Sequence, residues 1–300
     1  MIFPAPIISE QQVHTPRSLD EAVRFLAEHR DEGWRPLAGG TDLMVGVYRD
    51  HVGGNRWLNL SRLRPQLAGA GREADNIRIG ALTTMAELRH SRLLAEACPL
   101  VGEAAAAVGS AQIQNRATVG GNIMNNSPAG DTLPVWLALD AELELVSTRG
   151  RRRIPYCQFL TGYRRTLLEP DELLTSVVIS ARRDGQSRFY FRKLAPRAAG
   201  ISKLVFAAVA GLEGGRFCNV RLAFGCAGPT VLRARAAERS AEGQAPSLSL
   251  GATAAEQLAS ELSPIDDHRS TADYRLRVSK NLTREFLAGH LDLPPLQRNP

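Results

Sequence analysis

Two short glycine-rich segments constrain this chain more than anything else in it: Ala38-Gly39-Gly40-Thr41-Asp42-Leu43 and Thr118-Val119-Gly120-Gly121-Asn122. Glycine tolerates positive φ and lets other groups approach the backbone closely. Consecutive N–H groups in such a loop form a concavity that receives anions. The Thr41 and Thr118 hydroxyls add donors. Two such segments, far apart in the chain, suit a fold that brings them together around a ligand with two phosphates. Either one alone reads as an ordinary turn.

With 300 residues the chain can bury a full core and divides more naturally into two domains than one. Its 44% hydrophobic and 23% charged residues are those of a soluble globular protein. No apolar run reaches membrane-spanning length; the stretch from Leu133 to Leu139 is interrupted by Pro134. The opening Met1-Ile2-Phe3-Pro4-Ala5-Pro6 lacks the basic and long apolar regions of a signal peptide, so a cytoplasmic location is expected.

The net charge is +6, and only Lys193, Lys203 and Lys280 among the 37 basic residues are lysines. An arginine-only bias with 6% aromatics does not fit a nucleic-acid surface, which interleaves cations with stacking platforms. The dense cluster Arg149-Gly150-Arg151-Arg152-Arg153 falls where a hairpin turn is expected, and reads as a solvated turn or as a docking patch. Cys98, Cys157, Cys218 and Cys226 show no C-x-x-C spacing, and the six histidines are scattered. No metal or iron–sulfur site is expected on this chain, and the cysteines read as buried or idle thiols.

Ser18-Leu19-Asp20-Glu21 and Thr84-Met85-Ala86-Glu87 have capping-box spacing and predict helix starts. Pro99 predicts a helix running to Val108. Arg35 to Ala38, Trp57 to Leu60 and Ile77 to Ile79 read as strands, and Ala141 to Thr148 with Arg152 to Ile154 as a hairpin. The polar stretch from Ala181 to Ser187 reads as a domain boundary. Beyond it lie strand-like runs at Phe189 to Lys193, Leu204 to Leu212 and Val220 to Phe224, the last two joined by Glu213-Gly214-Gly215-Arg216. Ala236 to Pro246 reads as a mobile loop or frayed helix end, and Tyr274, Val278, Leu282 and Phe286 as the buried stripe of a final helix. The order of elements predicts an α+β fold rather than a regular parallel alternation.

Gly69-Ala70-Gly71-Arg72-Glu73-Ala74 matches a loose dinucleotide fingerprint, but a strand follows it where the fingerprint requires a helix, so it reads as a surface turn. No Gly-Lys-Ser/Thr occurs. A nucleotide site must use the other two glycine segments.

Around those segments the residues resemble a known family. Arg35 to Met44 is similar to the first flavin loop of the FAD-binding medium subunits of molybdenum hydroxylases, the xanthine dehydrogenase and carbon monoxide dehydrogenase type. The second region, Gln114-Asn115-Arg116-Ala117-Thr118-Val119-Gly120-Gly121-Asn122-Ile123 followed by Ser127 to Pro134, is a closer match. Pro170 to Leu174, Phe191-Arg192-Lys193 through Ile201-Ser202-Lys203, and Phe224 to Thr230 resemble the family in the same order. Val231 stands where the family commonly has a second proline, no cysteine-rich insertion is present, and the tail after Asp292 matches nothing in the family.

The resemblance implies a vanillyl-alcohol-oxidase/PCMH-type FAD-binding domain of two α+β lobes over residues 1–182. A carbon-monoxide-dehydrogenase-flavoprotein-like C-terminal domain over 187–293 would follow. It implies FAD as cofactor, with the pyrophosphate cradled by Leu37, Ala38, Gly39, Gly40, Thr41, Asp42 and Leu43 and by Thr118, Val119, Gly120, Gly121 and Asn122. Asp131 is implied beside the adenosine or ribityl hydroxyls, Leu174 at the border of the flavin ring, and Lys193 as a flavin-site cation. In a chain that uses arginine for nearly every cation, a retained lysine fits a need for a compact ammonium. The implied partners are a molybdopterin-containing large subunit, a small subunit with two [2Fe-2S] clusters, and an external electron acceptor. No catalytic acid or base and no metal ligand is implied on this chain. Two other readings stay open from the residues alone: a self-contained flavin oxidase or reductase of the same fold, and an arginine-rich nucleic-acid binder.

Overall fold

The first lobe is a three-stranded parallel sheet of β1 (Gln12–His14), β2 (Arg35–Leu37) and β3 (Arg56–Asn59), in the order β1-β3-β2. The structure, a computed structural model, describes residues 10–48, 54–181 and 187–289. The N-terminal hexapeptide, most of the expected domain boundary and the tail after Asp292 lie outside the described residues. Helix Leu19–Glu28 connects β1 to β2 and buries Ala22, Val23 and Leu26, the face its spacing dictates. The Ser18 hydroxyl accepts from Glu21 N at 3.2 Å, whereas the Glu21 carboxylate accepts from Arg17 N, one residue short of a reciprocal box. β2 ends at Leu37, so the chain leaves the sheet directly into the first glycine segment.

The second lobe is a five-stranded antiparallel sheet of order β4-β5-β10-β6-β7. Its strands include β4 (Ala70–Glu73), β5 (Asn76–Gly80), β6 (Glu142–Ser147) and β7 (Gly150–Pro155). A small hairpin of β8 (Leu160–Gly162) and β9 (Arg165–Thr166) then leads to β10 (Leu173–Ser180). The segment at Gly69–Ala74, expected as a turn, is mostly the edge strand β4; the turn lies at Ala74, whose φ is +51°. Ile77, Ile79, Leu143, Leu145, Val177 and Ile179 alternate onto one face, as a period-2 strand requires. Helices between β5 and β6 cover that face, among them Met85–His90, Pro99–Ala107, Val119–Asn125 and Leu133–Ala138. Thr84 forms the full capping box with Glu87.

The arginine cluster is neither a bare turn nor a free positive patch. Arg149 pairs with Asp171 and Glu169, and Arg152 grips Glu172 through two hydrogen bonds of 2.6 and 2.7 Å. Arg151 and Arg153 share Glu144 with Arg78. Burial opposes ionisation of Glu144, but the Thr175 hydroxyl and the Arg78 and Arg151 guanidinium groups hold its carboxyl below the usual glutamate range. Most of the cluster's charge is therefore answered by one carboxylate on the same sheet and three on the loop that leads into β10.

The C-terminal domain is a four-stranded antiparallel sheet, β11 (Arg188–Leu194), β12 (Leu204–Glu213), β13 (Arg216–Gly225) and β14 (Leu232–Arg233), in sequential order. The β12–β13 turn uses Gly214 and Gly215 at φ +55° and +75°, the pair of positive angles a tight hairpin demands. β12 is apolar from Leu204 to Leu212, and both faces of its buried part are covered. Leu204, Phe206, Ala208 and Ala210 pack against helices Arg235–Ala241, Leu248–Glu261 and Ala272–Leu287, while Val205, Ala207 and Val209 join the core of the second lobe. The two domains thus share a hydrophobic core across β12.

Two local expectations differ from the fold. Residues 236–246, expected as a mobile loop or a frayed helix end, lie up to Ala241 in the ordered helix Arg235–Ala241, whose Ala237 and Ala241 are fully buried. On the last helix the buried stripe includes Arg275, Ser279, Leu282, Thr283 and Phe286, so it is more polar than the apolar spacing implied. Arg275 is tolerated there because Asp267 pairs with it at 2.7 Å.

Candidate functional site

Although far apart in sequence, the two glycine regions meet. A Cβ on Gly39 would lie 2.0 Å from the carbonyl oxygen of Arg116, and the Arg116 Nε donates to Gly39 O at 3.3 Å. Gly39 is glycine because another backbone runs against it. Gly40 is glycine because its φ is +73°. The contact opens a cleft of about 650 Å³ lined by Leu37, Ala38, Gly39, Gly40 and Thr41 from the first segment and by Arg116, with Val13, Met44, Asn59 and Ser61 completing the wall. Among the described residues Arg116 is the only ionisable side chain in that lining.

The backbone donors of the two segments have different fates. Among the described residues, the N–H groups of Gly39, Gly40, Thr41 and Asp42 donate to no protein acceptor. In the second segment Val119 N donates to Thr83 O at 2.9 Å, Gly120 N to Ala81 O at 2.7 Å, and Gly121 N to the Thr118 hydroxyl at 3.1 Å. Asn122 N bonds Thr118 O within the helix. The expected second anion concavity is therefore the capped start of helix Val119–Asn125, and only the Thr118 N–H is left over among the described residues. Gly120 is glycine because a Cβ there would lie 2.9 Å from the Cβ of Ala81. The Asn122 side-chain oxygen is also taken, by the Thr132 hydroxyl at 2.6 Å.

Asp42 closes the first segment. Its surface is exposed, yet desolvation pushes its carboxyl above the usual aspartate range, with the Arg164 guanidinium drawing it back. Leu43 starts helix Leu43–Tyr48, none of whose residues is buried. The hairpin bearing Arg164 is tied to the end of helix Val119–Asn125 by Asn126, whose amide donates to Gly162 O and Arg165 O.

Asp131 and Lys193, expected separately against the ligand, are paired with each other at 2.8 Å. Both side chains are about nine-tenths buried. The Lys193 ammonium also donates to Ala107 O at 2.7 Å, and the Ser202 hydroxyl donates to the other Asp131 oxygen at 2.5 Å. Burial pushes the Asp131 carboxyl above its usual range, and Lys193 and Ser202 pull it only partly back. Asp131 belongs to the second lobe and Lys193 and Ser202 to the C-terminal domain, so this cluster stitches the seam between them. Leu174 is 7% exposed and its side chain lies in the core, leaving its backbone as the part able to border a ligand.

The remaining chemistry is sparse. The four cysteines form no disulfide, and burial pushes the Cys226 thiol up to about 11, so it stays protonated at neutral pH. Among the described residues no group of three His, Cys, Asp or Glu is placed to hold a metal ion. No helix of the described residues is long and apolar enough to cross a membrane. Arg116 lies inside a motif legible in the sequence, yet nothing in its neighbours there sets it apart from the other arginines. Asn59 and Ser61 carry no local signal, because only the strand order brings β3 beside the loop.

The family model described as the FAD binding domain in molybdopterin dehydrogenase matches residues 9–181, and that of the CO dehydrogenase flavoprotein C-terminal domain matches residues 189–289. The xanthine dehydrogenase FAD-binding subunit of Escherichia coli O157:H7 is 29% identical over 276 residues, covering 92% of this chain and 94% of its own. The glyceraldehyde dehydrogenase medium chain of Sulfolobus acidocaldarius is 30% identical over 266 residues, covering 89% and 93%. In the solved carbon monoxide dehydrogenase of Hydrogenophaga pseudoflava, a chain 28% identical superposes with a TM-score of 0.89 over 94% of this chain and 98% of its own.

Proposed function

Because this chain belongs to the FAD-binding family of molybdopterin dehydrogenases, as the medium subunit of a xanthine or carbon monoxide dehydrogenase-type molybdenum hydroxylase, we propose that it relays electrons from a partner's [2Fe-2S] clusters to an external acceptor. Substrate hydroxylation then falls to a large partner subunit carrying the molybdopterin cofactor. The chain's own cofactor is FAD. When bound, FAD supplies reversible electron uptake and release; the protein supplies binding, orientation and electrostatics.

The observation that carries the cofactor assignment is the run of four N–H groups, Gly39 to Asp42, that meet no acceptor among the described residues, at a cleft lined by Gly39, Gly40 and Thr41 together with the Arg116 guanidinium. Backbone nests of this kind accept phosphate oxygens. On this reading Leu37 to Leu43 hold the FAD pyrophosphate through the backbone. Thr118 to Asn122 frame it, contributing the Thr118 N–H and the exposed, side-chain-free approach at Gly121. Lys193 has three donors, of which Asp131 and Ala107 O take two, leaving one for the flavin. Since Asp131 neutralises it, Lys193 acts as a positioned donor more than as a bare positive charge. Leu174 borders the ring through its backbone. The FAD domain spans 1–182 and the C-terminal domain 187–293, joined by the Asp131–Lys193–Ser202 seam.

Among the described residues the cleft lining contains no histidine and no carboxylate. The visible spectrum of the purified chain, with the cofactor released by acid and identified, tests the proposal. A flavin spectrum and released FAD, with iron–sulfur and molybdenum subunits co-purifying, are expected. A colourless chain that binds no added FAD even with those subunits present would overturn it.

A further inference from the structure

Arg116 lines the cleft, and its guanidinium is placed differently from those of the arginine cluster. Arg78, Arg149, Arg151, Arg152 and Arg153 each face a carboxylate, whereas Arg116 has no carboxylate partner among the described residues. Its side chain is exposed, and the one hydrogen bond it makes among those residues runs from Nε to Gly39 O at 3.3 Å. That bond orients the guanidinium while leaving both terminal amines without an acceptor. The backbone of the same residue is pinned against Gly39, so the fork is held at the edge of the cleft beside the unengaged N–H groups of residues 39–42.

We propose that Arg116 is a diphosphate-clamping residue, its two terminal amines taking phosphate oxygens that the N–H groups of the first glycine segment also face. This deepens the FAD reading and rests on it. A planar fork suits paired phosphate oxygens in a way that an ammonium does not, and a charge-assisted bond is stronger than a neutral one. Backbone donors set where the diphosphate lies, and the guanidinium supplies the compensating charge that the loop itself lacks. Asp42, near the end of the same segment, is not among the residues that line the cleft.

The deciding experiment uses the full chain freed of flavin, titrated separately with FAD, ADP and riboflavin for the wild type, Arg116→Gln and Arg116→Lys. Arg116→Gln is expected to weaken FAD and ADP by about ten- to a hundredfold, the scale of one charged hydrogen bond, and to leave riboflavin unchanged. Arg116→Lys should recover part of that loss, and the salt dependence of FAD binding should flatten in Arg116→Gln. FAD and ADP affinities within twofold of wild type in Arg116→Gln would overturn the proposal while leaving the FAD reading intact. A parallel loss of riboflavin would also overturn it, since that marks a displaced loop rather than a lost phosphate contact. A wild-type chain that binds neither FAD nor ADP would instead remove the reading beneath it.

Discussion

In the first glycine segment the N–H groups of Gly39 to Asp42 meet no protein acceptor among the described residues; in the second, those of Val119 to Asn122 are all engaged. Both contain Gly-Gly and both are held by close contact with another backbone or side chain, but the first runs up to a short helix while the second forms the first turn of one. The difference lies in the residue before the helix. Thr118 has extended dihedrals and turns its hydroxyl onto Gly121 N, closing the helix start on itself. The first segment has Gly40 at positive φ instead, and no side-chain cap closes on its N–H groups among the described residues. A glycine pair therefore reports close backbone approach; whether it binds an anion depends on what the fold has already done with the donors.

The variant expected to act most strongly is Gly39→Ala. Its Cβ would sit 2.0 Å from Arg116 O and 2.7 Å from the Arg116 carbonyl carbon, both rigid backbone, so the two regions must separate. A stability loss near the top of the ~1–3 kcal/mol overpacking range is expected, with the flavin lost altogether. Thermal denaturation and the flavin absorbance of the purified variant measure both. Retention of FAD at the wild-type level would show that the contact between segments is not what shapes the cleft. Gly120→Ala comes next. Its Cβ would press on Ala81 at 2.9 Å to Cβ and 3.0 Å to the carbonyl oxygen, inside the core of the second lobe. The expected cost is again ~1–3 kcal/mol, but the affinity of the folded fraction for FAD should change little. Loss of flavin at unchanged stability would mean that the second segment contacts the ligand directly, and the contrast between the two segments would fail.

Much of the fold could be read locally, and the reasons are visible in single residues. Thr84 and Glu87 form a capping box because the signal lies within four consecutive residues, and Gly214-Gly215 makes the hairpin because the positive φ angles are its own. What escaped the sequence depends on long-range contact. Nothing near Gly39 announces the Arg116 carbonyl, and nothing near Asp131 announces that Lys193 will neutralise it across a domain seam. The arginine cluster read as a solvated turn or a docking patch because its carboxylates, Glu144, Glu169, Asp171 and Glu172, come from other parts of the sheet and its connections. Donor accounting is also long-range: the N–H groups of Val119 and Gly120 are satisfied by carbonyls at Thr83 and Ala81, which only the packing of helix against strand brings near. Both glycine segments were expected to offer donors, and only the packing shows that those of the second are already engaged.

The smallest effect is the sharpest discriminator. Thr118→Ala removes the hydroxyl that caps Gly121 N but leaves the Thr118 N–H, the one backbone donor of that segment with no acceptor among the described residues. If the hydroxyl serves the helix, its loss strands one amide and costs about 1 kcal/mol, a fall of about 2 °C in Tm for a chain of this size. FAD affinity should then stay within twofold of wild type, because no donor to the ligand has been removed. If the hydroxyl instead donates to phosphate, affinity should fall by about tenfold or more, the loss of a hydrogen bond to a charged group. The two outcomes separate cleanly because the Thr118 side chain is buried and points along the helix start, so its substitution leaves Gly39, Gly40 and Arg116 in place. Measured beside Arg116→Gln, which should show the reverse pattern of unchanged Tm and weakened FAD, it assigns the cap to one segment and the phosphate to the other.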